Sequence, residues 1–173
     1  IPMPVYWMVI GAAIAQLTGW LMLVKLMLQH KAALKNELPK KGRQLLLLSS
    51  FALTLKLLLQ LGSTHPALSQ LAVGVRPIVL GYLHLVLLGV ITIFLRGYII
   101  SLNILDVRKS FIPGIWIFVT GIIINEILLM LQGVMGLSYT VVPYMNEPLL
   151  ATAIIMFTGI LVFPLGSRNR KTP

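Results

Sequence analysis

Cysteine is absent from this 173-residue chain, and acid nearly so: four Asp and Glu stand against fourteen Lys and Arg. Without cysteine there is no disulfide, no thiolate metal site and no cysteine nucleophile. The scattered acids offer no carboxylate pair for general acid–base work. A glycine-rich phosphate loop, an HExxH helix and a nucleophile elbow are missing too. Soluble-enzyme chemistry therefore has little to work with. The opening IPMPVYW has no basic n-region, so no cleavable signal peptide is read there. It also has no initiator Met, so a processed chain or a piece of something longer is expected.

Charge of either sign is scarce, at 10% of residues, where soluble domains carry about 25%. In its place stand 58% hydrophobic residues and a mean hydropathy of +0.95. Apolar runs recur at the length of about 20 residues needed to cross a ~30 Å hydrocarbon core. The expected class is an all-α, polytopic membrane helix bundle, with the lipid bilayer as solvent. One transmembrane domain covers 1–173, with spans at about 4–28, 44–61, 77–97, 111–135 and 147–166. These are bounded by Pro4, Pro77, Pro113 and Pro148 near the starts of four of them, where proline's missing N–H is harmless.

The loops orient the bundle. If the loop Gln29–Arg43 is cytoplasmic, the inner side collects Lys31, Lys35, Lys40, Lys41, Arg43, Arg108, Lys109, Arg168, Arg170 and Lys171. The outer side keeps Arg76 alone. The positive-inside rule then places the N-terminus outside and the C-terminus inside, in a bacterial inner membrane. The net charge of +10 is accounted for by these loops, so no nucleic-acid partner is expected; anionic lipids at the basic inner loops are. Pro66–Ala72 reads as a short interfacial helix, and the tail SRNRKTP as disordered.

Within the spans, small and polar residues mark faces. Gly11, Ala15 and Gly19 recur every four residues in the first span, a stripe that would let another helix approach closely. In the second, Ser49, Ala52, Lys56, Gln60 and Ser63 lie within about 40° of one direction, so that side should face protein. In the fourth, Gly114, Gly121, Asn125 and Gln132 form a similar face, with Glu126 adjoining.

Three ionisable groups fall at related depths below the outer ends of their helices: Lys56 at ~9 Å, His84 at ~10 Å and Glu126 at ~13 Å. Each costs roughly 2.5–3.5 kcal/mol in oil on insertion scales if charged and unpartnered. The expectation is one polar cluster in the outer half, formed by Lys56, His84, Glu126, Asn125 and Gln60. Lys56 and Glu126 could form an ion pair that orients helices or serves a small transporter. Glu126 could equally be a neutral acid bonded to a neighbouring helix. His84 reads either as a hydrogen-bonding residue between helices or as a haem or metal ligand, since neutral imidazole binds iron and copper well. His30 and His65 lie at opposite edges, so a second histidine ligand is not supplied at its depth.

The segment GYLHLVLLGVITIFL, Gly81 to Leu95, resembles the His-x-x-x-x-Gly membrane helices of the haem-copper oxidase catalytic-subunit superfamily and its nitric-oxide-reductase-like relatives. His84 and Gly89 carry the match. In that family such a histidine binds haem or copper. The resemblance implies His84 as a haem or metal ligand and Arg76 as a partner for haem propionates at the outer surface. The family fold has many more helices and metal-binding histidines. What it implies here is an integral membrane subunit or fragment without oxygen reduction of its own. The other functional readings are an accessory subunit of a larger membrane complex without cofactor, and a small transporter using Lys56 and Glu126.

Overall fold

A computed structural model describes residues 3–102, 105–107, 111–138, 143–165 and 167–169. The helices are α1 (Met3–Gln29), α2 (Lys31–Glu37), α3 (Lys40–Gly62), α4 (Pro66–Gly74) and α5 (Arg76–His84). A π-helical segment, Leu85–Thr92, follows and runs directly into α6 (Ile93–Ser101). Helices α7 (Phe111–Leu137) and α8 (Asn146–Leu165) complete the bundle. Leu105–Val107 pairs antiparallel with Ser167–Asn169, Asp106 opposite Arg168. That short ribbon leaves the fold all-helical, and it corrects the disorder expected of the tail's first residues; 170–173 lie outside the described residues.

Among the described residues, four helices are long and apolar enough to cross a membrane: Met3–Gln29, Lys40–Gly62, Arg76–Ser101 and Pro113–Leu137. The apolar stretch of α8, Asn146–Val162, is shorter. The loop expected over Gln29–Arg43 is largely helical. α2 occupies its middle, and α3 starts at Lys40 rather than Gln44. Pro39, as the N-cap with φ −59° and ψ 140°, forces the break between them.

The driest packing lies near the start of α3. Leu45, Ile93, Ile100, Ile115, Phe118, Val119 and Ile122 form one buried cluster from α3, α6 and α7. Lipid tails are as apolar as leucine, so burial alone does not hold membrane helices together; close backbone approach and hydrogen bonds do. Small residues supply the approach. Gly42 abuts Ser101, Gly97 abuts Leu45 and Leu46, and Gly89 abuts Ala52, so α3 lies antiparallel along the third span. On the other side of α7, Gly121 meets Met156 and Gly159 meets the backbone of Phe118.

The polar face expected on α3 partly turns inward. Ser49 and Ala52 are buried, Lys56 and Gln60 half-buried, and Ser63 exposed. The small-residue stripe of α1 does not pack within this chain. Gly11, Ala15 and Gly19 are exposed, and neither glycine has a heavy atom within 4 Å of where a Cβ would lie. α1 instead turns Ala13 and Trp20 inward, with Trp20 Nε1 donating to Thr54 Oγ1 at 2.9 Å. The indole N–H has no water to bond in oil, and this bond gives that face of α1 its specificity.

Candidate functional site

The π segment begins at the residue after His84 and is the main irregularity in the membrane part of the chain. Its i→i+5 turns carry one residue more than an α-turn, which displaces carbonyls from their ordinary partners. Two hydroxyls meet those carbonyls. Thr92 Oγ1 donates to Leu87 O, five residues back, at 2.8 Å. Ser49 Oγ donates from α3 to Val90 O at 2.9 Å. Gly89 sits between them against Ala52, where a Cβ would lie 3.4 Å from the alanine methyl. Serine, alanine and glycine thus bring α3 close enough for the interhelical bond to form.

His84 closes α5. Its Nδ1 lies 2.8 Å from Leu80 O. A carbonyl can only accept, so Nδ1 donates in this contact, and in the neutral tautomer that does so the lone pair is on Nε2. The side chain is half-buried, beside the exposed Leu80, Leu83 and Leu87. Arg76, at the start of the same helix, is exposed.

The expected Lys56–Glu126 ion pair does not form. Lys56 Nζ donates to Gln60 Oε1, one turn along its own helix. That i,i+4 spacing gives the ammonium a local partner without a neighbouring helix. Glu126, half-buried on α7, faces Gly81 of α5, whose Cβ would lie 3.9 Å from Oε2. Its Oε1 is buried without a hydrogen-bond partner among the described residues. Asn125, 6% exposed, turns toward α8, where Thr152 Oγ1 lies 3.4 Å from its Oδ1 and donates to Leu149 O at 2.8 Å. The Nδ2 of Asn125 is likewise buried without a partner.

The five polar residues thus divide their bonds. Lys56 and Gln60 bond each other, His84 bonds its own helix, Asn125 meets α8, and Glu126 meets α5. No hydrogen bond or ion pair among the described residues joins the three ionisable groups. Nor do three or more His, Asp or Glu gather into a metal-binding group among the described residues. His30 Nδ1 lies 3.0 Å from Leu26 O at the end of α1, and His65 is exposed at the N-cap of α4. His30 and His84 thus share one arrangement, the ring held through Nδ1 on the carbonyl four residues back, and only His84 lies within a membrane-spanning helix away from its ends.

Arg96 is the residue that sequence reading missed. The expected span 77–97 already contains it without giving it a role, and α6 continues to Ser101, so Arg96 lies within the helix rather than at its end. Its guanidinium lies 3.9 Å from the centroid of the Phe118 ring, between α6 and α7. A cation stacked on a buried aromatic face is well stabilised away from water. The signal available in the sequence was the apolar run Tyr98, Ile99 and Ile100 after Gly97, which keeps the arginine away from the helix end. No family model, no curated protein and no solved structure matches this chain.

Proposed function

We propose that this chain is an accessory subunit of a larger membrane assembly, acting through helix association rather than chemistry. In this reading it spans the bilayer five times, with α8 as the fifth span, the N-terminus outside and the C-terminus inside a bacterial inner membrane. The charge asymmetry of the loops supports that orientation. The attachment of α1 carries the reading. Ala13 is its one buried residue, and Trp20 tethers it to α3. Gln16, at its midpoint, is exposed with its carboxamide at the depth where a hydrogen-bonding partner is most valuable.

The absence of native cysteine makes the test clean. A single cysteine at Ala15 or Gly19, alkylated with a photoactivatable maleimide and irradiated in native membranes, is expected to yield a cross-linked adduct with another polypeptide. A cysteine at the exposed Leu161 of α8 is the comparison. Adducts equally rare at both places would remove the basis for this reading.

His84 favours a second reading, as an axial haem or metal ligand. Fixing Nδ1 on Leu80 O orients the ring and leaves Nε2 free to bind, which is how ligating histidines are usually held. The resemblance of Gly81–Leu95 to haem-copper oxidase helices supports the same assignment, with Arg76 as a partner for propionates. Protein expressed with ample haem should then show a Soret band that disappears in His84→Ala. Colourless wild-type protein would dispose of the haem form, and metal analysis of the same sample would decide the metal form.

A further inference from the structure

The basic segment between α1 and α3 is folded back on itself rather than strung out. Arg43 Nη1 donates to Lys35 O at 3.4 Å, tying α2 to the first turn of α3. Lys31 and Lys35 lie one turn apart on α2 and share a side. Glu37, the one acid in the segment, is two residues beyond Lys35 and so projects to the other side of that helix. Lys35, Lys40 and Lys41 are all exposed. Lys41 Nζ lies 6.0 Å from the ring centroid of Trp116 on α7, and Trp116 is itself 38% exposed.

Depth identifies the partner. Lys40 and Lys41 form the first turn of α3, and the neighbouring Gly42 abuts Ser101 at the end of α6. Helix ends that meet in this way mark the edge of the hydrocarbon layer. Exposed indole rings favour the same headgroup level. At that depth the surrounding groups are lipid headgroups, and the anionic ones carry a phosphate diester that ammonium groups attract.

We propose that Lys35, Lys40 and Lys41, with Trp116 beside Lys41, bind the phosphate headgroup of an anionic phospholipid in the leaflet that meets the start of α3. This site stands whichever functional reading holds, because it uses none of the intramembrane polar residues.

The test is native mass spectrometry of the full chain in detergent, offered phosphatidylglycerol and phosphatidylcholine at equal concentration. Preferential retention of phosphatidylglycerol is expected, weakening as salt rises toward ~1 M. The preference should fall about fivefold for each lysine changed to glutamine, in Lys35→Gln, Lys40→Gln and Lys41→Gln singly and together. His65→Gln, beyond the far end of α3, should leave it unchanged. Equal retention of both lipids by the wild type overturns the proposal without need of a variant. So does an undiminished preference in a folded triple variant. Displacement of the lipid by soluble glycerol phosphate would make this a site for free phosphate, which also overturns it.

Discussion

Gly159→Leu is expected to abolish most of the folded protein, because it prises α8 from α7. A Cβ at Gly159 would lie 2.6 Å from the backbone nitrogen of Phe118, 2.8 Å from its Cβ and 2.9 Å from its Cα. Two of those atoms are main chain, so no rotamer change relieves the contact and the helices themselves must part. Even Gly159→Ala should cost about 1–3 kcal/mol, the usual range for overpacking. The damage would also reach Phe118, among the most buried side chains of the chain and the ring beneath Arg96. The measurement is the unfolding midpoint in detergent, followed by tryptophan fluorescence, with monodisperse yield as a second readout. Gly11→Leu is the control, since nothing lies within 4 Å of its position. Equal midpoints for Gly159→Leu and Gly11→Leu would falsify this account of how α7 meets α8.

Glu126→Met should act in the opposite sense and stabilise the bundle. The carboxyl is half-buried on α7, with Oε1 buried and without a hydrogen-bond partner among the described residues. A buried polar atom left in that state costs about 1–3 kcal/mol, and methionine fills a similar volume without the penalty. The variant should therefore unfold later by an amount of that order. Lys56→Met is a useful companion. Lys56 bonds Gln60 rather than Glu126, so the two substitutions should add independently. A stabilised Glu126→Met protein that has lost a cellular role would mark the carboxyl as retained for function. A destabilised one would mean that the carboxyl holds α7 to a neighbour, and the argument from its unpartnered oxygen would fail.

Much of the architecture was legible because a membrane leaves a helix so few choices. Backbone groups in oil must bond within their own segment, so apolar runs of sufficient length announce themselves as helices. The observed α7 and α8 begin and end within two residues of expectation for that reason. Boundaries written in basic residues were harder. Lys40, Lys41 and Arg43 read as loop by composition, yet they belong to α3, because long cationic side chains can leave a helix end and reach headgroups. Spacing alone did not say which face of α1 meets the rest of this chain. A small-residue stripe says where close approach is allowed, and the bond from Trp20 to Thr54 fixes where it occurs in this chain.

The polar site was legible as an inventory and illegible as an arrangement. Lys56, His84, Asn125 and Glu126 could be listed, and even ranked by depth, from their positions in the spans. Which of them touch depends on how each helix is rotated against its neighbours, and beyond His84 the phase along the third span is reset as well by the π segment. Each π turn takes up an additional residue, so a phase of 100° per residue drawn from Arg76 no longer holds by Arg96. What the amino-acid order determined alone was a greasy, basic-rimmed set of helices, since hydrophobicity and loop charge are local properties. What only the tertiary structure decided was the partner of each buried polar atom. Such a bond needs two backbones within reach, as when Gly89 and Ala52 let Ser49 meet Val90.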